Sequence, residues 1–161
     1  MLSLYIPELK DYWYEENLLS DKDTMNYNAG YDVSYSGYHY ETGCIDFKKE
    51  KWQEKYNKRK DENTFFAYLK DDIKNEFVGY VNYQYNEKDN RYECGIVIEA
   101  SKRRNGYAKE GLKLLCNYAK EQIIKSLYDN FEIDRESTLK VFESIGFKVI
   151  EKPLGKSLIK K

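Results

Sequence analysis

The chain has 161 residues, enough for one domain with a real hydrophobic core. Its 27 basic and 28 acidic residues leave a net charge of −1, so no global field draws it to nucleic acid or a membrane surface. A hydrophobic fraction of 41% and a charged fraction of 34% fit a globular domain, and the chain shows no bilayer-length apolar run and no charged-then-apolar leader, which predicts a cytoplasmic protein.

Cys44, Cys94 and Cys116 are far apart and odd in number, no CxxC pair exists, and His39 is the only histidine. These residues do not make a structural zinc site, so no metal is expected. Tyrosine is the unusual component: there are 17, eight of them in the first 40 residues. A tyrosine adds a large ring and one hydrogen-bonding tip, so such a cluster can line a polar pocket or cover a half-wet surface.

Residues 7 to 19 open with Pro7, a good first-turn residue, and carry Leu9, Trp13 and Asn17 at helical spacing. Residues 20 to 46 are polar, tyrosine-rich and punctuated by Gly30, Gly37 and Gly43. That is loop chemistry with room for a short strand, suited to a lid, a substrate wall or simple packing. Residues 48 to 60 hold seven basic and two acidic residues, with Trp52 and Tyr56 at helical spacing. Basic groups alternating with aromatics can serve a nucleic-acid binder, but a surface helix with both rings turned inward explains them as well. Asp61 and Glu62 dilute the field at once, and no nucleic-acid partner is expected.

Thr64–Lys70 and Glu76–Asn86 read as strands joined by a polar turn, with Phe77, Gly79, Val81, Tyr83 and Tyr85 on one face of the second. A further turn leads to Tyr92–Glu99, whose centre, Ile96-Val97-Ile98, suits a strand buried on both faces. Short turns make these three strands an antiparallel meander. Next come the basic bend Lys102-Arg103-Arg104-Asn105-Gly106 and a helix with Ala108, Leu112, Leu115, Ala119 and Ile123 as its apolar stripe. The chain returns to a strand near Ser126–Phe131, pairing in parallel. Asp134 caps a helix over Glu136–Ile145, ended by Gly146; Phe147–Glu151 reads as a strand, and Leu158-Ile159 as an edge strand after a turn at Pro153 and Gly155.

Strand, basic glycine bend and helix together form a device for holding an anion. The first amides of a helix lack partners, its dipole end is positive, and Gly106 lets a ligand approach the backbone. Arg103 and Arg104 add permanent charge, so phosphate or pyrophosphate is the natural guest. The bend has neither GxxxxGK[ST] nor GxGxxG.

Arg103-Arg104-Asn105-Gly106-Tyr107-Ala108 matches the Arg/Gln-x-x-Gly-x-Gly/Ala signature of the GNAT superfamily of acyl-CoA-dependent N-acyltransferases, which the chain resembles from about residue 64 to 150. Phe142-Glu143-Ser144-Ile145-Gly146-Phe147 supplies the family's later aromatic-x-x-x-Gly-Phe ending. The resemblance implies an α/β (α+β) single domain over 1–161: a mixed, mostly antiparallel sheet flanked by helices, with a splayed central strand pair. Residues 1–62 would be the acceptor-side segment and 64–150 the cofactor core.

It implies acetyl-CoA as donor. The pyrophosphate would lie on the bend of Arg103, Arg104, Asn105, Gly106, Tyr107 and Ala108, and the pantetheine arm along Ile96, Val97 and Ile98. Acetyl transfer to an amine would need a base, for which Glu93, about ten residues before the signature, comes first; Glu99 ranks lower, and Asp129 is a further candidate for base or acceptor binding. Many members protonate the leaving sulfur with a tyrosine where this chain has Phe142, so water or another donor would have to serve, with Tyr128 and Tyr107 available though neither is fixed by a motif. An asparagine common seven residues earlier is replaced by Arg135, which could bind a cofactor phosphate, and Phe142 would line the cofactor side. Asp32, Glu41 and Asp46 would suit a cationic acceptor. A homodimer is common among similar proteins. The alternative is a module that holds acyl-CoA without catalysis, which Phe142 favours.

Overall fold

The computed structural model describes residues 1–33, 35–131, 136–152 and 155–160. Its seven strands form one sheet. In spatial order they are β1 (Leu2–Tyr5), β2 (Thr64–Asp71), β3 (Glu76–Asn86), β4 (Arg91–Ile98), β5 (Leu127–Phe131), β7 (Gly155–Lys160) and β6 (Lys148–Lys152). Neighbours are antiparallel except β4 and β5, which are parallel. The polar turns between β2, β3 and β4 are too short for anything but an antiparallel meander, whereas α4 (Tyr107–Glu121) provides the crossover that parallel pairing requires.

α4 covers one face of the sheet. Leu112 and Leu115 are fully buried, with Ala119, and they pack with Leu69, Val78, Val81, Cys94 and Ile98. The predicted stripe runs one residue too far. The helix stops at Glu121, Ile123 takes a left-handed φ of 63°, and its side chain is 83% exposed. α5 (Glu136–Ser144) sends Phe142 into the same core against Phe147. Asp134 and Arg135, and with them the predicted cap, lie outside the described residues, as does Pro153.

The other face is aromatic. α1 (Trp13–Ser20) lays Tyr14 and Leu18 on Phe66 and Tyr68, with Tyr5, Phe77 and Tyr80 packed around them. α2 (Lys22–Met25) and α3 (Trp52–Lys58) close a third cluster around Tyr12, Met25 and Phe47, and Trp52 and Tyr56 do turn inward. Residues 20 to 46 are thus not a plain loop. They contain α2 and an isolated antiparallel bridge between Tyr38 and Ile45, and Ile45 ties back to α1 through the Leu19 carbonyl at 2.9 Å.

One strand has no counterpart in the sequence reading, and two further expectations are corrected. β1 carries no turn signals of its own in the sequence; it exists because β2 offers it a free edge. The final strand is not at the edge: β7 inserts between β5 and β6. Finally, Phe77 does not share a face with Val81. The β2–β3 register slips at Leu69/Lys70, leaving Val78 unpaired in a bulge. One extra residue reverses the alternation, so Val78 joins the α4 core and Phe77 the aromatic face.

Candidate active site

The parallel pairing of β4 and β5 is short. Tyr92 faces Leu127 and Glu93 faces Tyr128, and the register ends there. From Cys94 to Ile98, β4 has no strand partner on its β5 side among the described residues, while β5 continues along β7. The two strands part into a fork that opens toward the end of β4. By strand rise the open edge from Glu93 to Ile98 is about 16 Å long. Unpaired backbone beside a buried strand must find partners, and an extended, amide-bearing chain is a natural one. Val97 and Ile98 are buried and Ile96 is half-buried, so the backbone of these residues, rather than their side chains, is what the fork presents.

The basic bend lies at the open end of that fork. Arg104 and Gly106 have left-handed φ values of 67° and 76°, and Gly106 is the N-cap of α4. This backbone curls the amides of the bend inward, a concavity suited to an anion. Among the described residues, no acceptor occupies the amides of Asn105, Gly106, Tyr107, Ala108 or Lys109. A Cβ at Gly106 would meet nothing within 4 Å, so the space over the bend is open.

The three cations of the bend have three different tasks. Lys102 donates to the Phe77 carbonyl at 2.9 Å and pairs with Glu76 and Glu99. Arg103 donates to the carbonyls of Ile98 at 3.3 Å, Thr24 at 3.0 Å and Asp23 at 3.5 Å, tying α2 to the end of β4. Thr24 completes that tie by accepting from the Ala100 amide at 3.0 Å. Arg104 is exposed and makes no ion pair among the described residues, so its charge remains available beside the open amides. Asn105 donates to the carbonyls of Lys102 and Arg103 and so braces the bend.

At the closed end of the fork sit Glu93 and Tyr128, opposed across β4 and β5 on the aromatic face of the sheet. Glu93 Oε2 accepts from Arg91 Nε at 3.1 Å and Nη2 at 2.9 Å, and Oε1 accepts from Asn86 at 3.0 Å. The Arg91 guanidinium also lies over the Tyr128 ring, 4.6 Å from its centre. Asp129 alternates to the α4 face, beside Cys94, whose thiol is pushed up by burial and further by the Asp129 charge. The three predicted catalytic residues therefore fall as a pair and a singleton on opposite faces.

The remaining candidates are scattered. Tyr107 is turned into the core, and its hydroxyl donates to Asp71 at 2.6 Å. Phe142 is 1% exposed and meets Phe147 edge-on, so it offers the fork almost no surface. Arg135 lies outside the described residues. Asp46 pairs with His39 at 2.9 Å, and Asp32 and Glu41 are exposed on the 20–46 segment. A cleft of about 630 Å³ lies beside α1, lined by Tyr5, Trp13, Tyr14, Phe77, Glu99 and Lys102 among others. Neither Glu93 nor Tyr128 lines it, so the cleft does not take in the closed end of the fork. No helix among the described residues is long and apolar enough to cross a membrane.

A family model for the GNAT acetyltransferase domain matches residues 4–148. The chain belongs to the GNAT acetyltransferases. Solved structures agree on the fold. Spermidine N-acetyltransferase from Vibrio cholerae, in complex with CoA and spermine, superposes with a TM-score of 0.74 at 18% identity, over 99% of this chain and 94% of that one. An N-acetyltransferase from Staphylococcus aureus Mu50 gives 0.72 at 12% identity, over 100% and 98%. A GNAT-family acetyltransferase from Bacillus anthracis gives 0.70 at 20%, over 98% and 92%. A search of curated protein sequences found no significant match.

Two features of this GNAT site have no signature in the sequence. One is the Arg91–Glu93–Asn86 cluster, which forms because Arg91 pairs with Asn86 across β3 and β4. The other is the Tyr107–Asp71 contact, which fixes the first residue of α4 to the end of β2. Asp71 also accepts from the amides of Ile73 and Lys74 at 3.0 Å each. The Tyr107 hydrogen bond, with those amides, holds the Asp71 carboxyl below its ordinary value, and Asp71 pushes the Tyr107 phenol up to about 12.

The linkage has a definite sign. A depressed carboxyl stabilises the fold above its unfolded value and loses that contribution as pH falls through the folded value. A raised phenol stabilises below its unfolded value and loses this as pH rises toward about 12. Tyr107→Phe is therefore expected to lower the melting temperature near neutral pH, with the gap to wild type closing below about pH 4 and again above about pH 10. Thermal melts across pH check this.

Proposed function

We propose that this GNAT acetyltransferase moves an acetyl group from acetyl-CoA to a primary amine, with the donor lying in the β4–β5 fork. The observation that carries the reading is the fork itself. Among the described residues, its unpaired β4 edge runs from the Glu93–Tyr128 pair to Ile98, and the open amides of the bend follow after one short turn at Ala100–Lys102. The amides of Asn105 to Ala108, with the Arg104 charge, would take the pyrophosphate. The backbone of Ile96 to Ile98 would pair with the amide-bearing arm. Bound there, acetyl-CoA supplies an activated thioester carbonyl at the closed end.

An ammonium has no lone pair, so the chain must accept a proton before attack. Glu93 is the carboxylate on the face shared with Tyr128. Its oxygens accept from Asn86 and Arg91, and the carboxylate would take the proton directly or through a bridging water. Tyr128 offers a hydroxyl on the same face, where Phe142 has none to give. A cationic acceptor would enter past the tyrosine-rich 20–46 segment with its Asp32 and Glu41.

A thiol-release assay against an amine panel, run beside calorimetry with acetyl-CoA, tests the reading. The panel begins with spermidine, because a structural neighbour acts on it, and includes lysine peptides and amino sugars. Turnover on at least one amine is expected. Arg104→Glu is expected to weaken acetyl-CoA binding about tenfold, the equivalent of about 1.4 kcal/mol. Tight acetyl-CoA binding with no turnover on any amine would favour the second reading, a binding module, to which the missing hydroxyl at Phe142 points.

A further inference from the structure

We infer that Asn82, on β3, binds the acceptor amine, its Oδ1 accepting an N–H of the incoming nitrogen at the midpoint of the β4 edge of the fork. This assignment rests on the acetyltransferase reading above.

The argument starts from register. Asn82 is the cross-strand partner of Gly95, with Tyr80 opposite Val97 and Gln84 opposite Glu93. Alternation places Glu93, Gly95 and Val97 on one face of β4, the aromatic face that carries α1, with Gly95 about 7 Å from each neighbour by strand rise. A central strand would ordinarily be covered at its midpoint. Here Gly95 and Asn82 are both only half-buried, so the face is open above them.

The side chain of Asn82 leans across β4 into that opening. A Cβ built on Gly95 would stand 2.8 Å from Asn82 Oδ1, and among the described residues, its chain neighbours aside, no other comes within 4 Å. The absence of a side chain at Gly95 thus makes the room that the amide occupies. Among the described residues, the Asn82 side chain makes no hydrogen bond. Its neighbours contrast with it. Glu93 is held by Arg91 and Asn86, and Glu99 by Tyr14 at 2.9 Å and by Ser101. No buried side-chain polar atom among the described residues lacks a partner, so the Asn82 amide reaches solvent at the working edge of the fork, where a ligand can meet it without breaking a protein hydrogen bond.

The chemistry suits an amine. An amide oxygen accepts from an ammonium and, more weakly, from the neutral amine that remains after deprotonation. It can hold the nitrogen in place through the proton loss while favouring the charged form less than a carboxylate would. A carboxylate there would bind the ammonium more tightly and oppose its deprotonation. Asn82 also stands between Glu93, which takes the proton, and Val97, beside which the arm would lie.

The test uses the full chain, with acceptor kinetics on the best amine of the panel, calorimetry with acetyl-CoA, and thermal melts. Asn82→Ala is expected to raise the acceptor KM about tenfold, one hydrogen bond to a charged group, with acetyl-CoA affinity within about twofold of wild type. Asn82→Asp is expected to lower the KM for a cationic amine and to move the acid limb of the kcat profile to higher pH. Gly95→Ala, which displaces the amide, should raise the KM in the wild-type background and add nothing in the Asn82→Ala background. Gln84→Ala, an exposed neighbour on the same face, should leave both constants unchanged. An unchanged acceptor KM in Asn82→Ala, or a loss of acetyl-CoA affinity equal to the acceptor effect, overturns the assignment while leaving the acetyltransferase reading intact. A wild-type protein that acetylates no amine of the panel overturns both.

Discussion

Glu93→Gln is expected to lower turnover by about 10²- to 10⁴-fold at neutral pH, the range that a positioned general base contributes, while acetyl-CoA affinity stays within about twofold. The substitution keeps the side chain's length and the bond from Asn86 but removes the charge. Turnover should recover partly at high pH, where the free amine already has its lone pair. Arg91 retains Asp89 at 4.0 Å and the Tyr128 ring, so the loss of its partner should not unfold the strand pair. Melts run in parallel separate a catalytic loss from a structural one. Equal turnover of wild type and Glu93→Gln at neutral and high pH would remove Glu93 from the mechanism.

The largest effect on stability should come from the N-terminal half. Glu15 lies 2% exposed on α1, and both its oxygens accept from Arg59 at the end of α3, at 2.6 and 2.7 Å. The guanidinium in turn rests 3.5 Å from the centre of the Phe66 ring. Glu15 has left water and Arg59 keeps only 15% of its side chain exposed, so each charge relies on the other. Glu15→Ala is expected to cost about 3–5 kcal/mol, since it leaves Arg59 buried and unpaired. For a domain of this size that is a fall of roughly 10–15 °C in melting temperature. Replacing both partners with leucine should recover most of the loss, because a buried pair is little better than well-packed apolar groups. A Glu15→Ala protein that melts within about 2 °C of wild type would show that water reaches the pair. The same pair joins α1 and α3 beneath the tyrosine-rich segment, so its loss should also raise acceptor KM more than it weakens acetyl-CoA binding.

Much of the stretch from residue 64 to the end of α4 was readable from residue order. The polar turns around residues 71–75 and 87–90 force a meander, the apolar run at Ile96 to Ile98 marks the buried strand, and the stripe through Leu112 and Leu115 marks the helix. These signals are local: turn chemistry and periodicity act over a few residues, and the chain states them directly. The bend is local too. Arg104 and Gly106 take left-handed φ and the next amides stay open because a helix begins there, whatever lies farther away.

The divided roles of Lys102, Arg103 and Arg104 were not legible. They are one basic run in the sequence, and only the arrival of α2, some eighty residues earlier in the chain, converts Arg103 from a phosphate candidate into a tie between elements. Phe77 was misplaced for a comparable reason, since one bulged residue at Val78 reverses every side chain beyond it and leaves no mark in the alternation. Periodicity likewise could not see that β1 fills the edge of β2, or that β7 enters the sheet beside β5.

The sequence by itself determined the meander, the helix-capping basic bend and the family, because each is written in contiguous residues. Tertiary structure alone decided that β4 and β5 part after Glu93 and Tyr128, that Arg91 and Asn86 hold Glu93, and that Gly95 leaves room for the Asn82 amide. Those features depend on contacts between segments distant in the chain, where register and packing, not propensity, choose the partner.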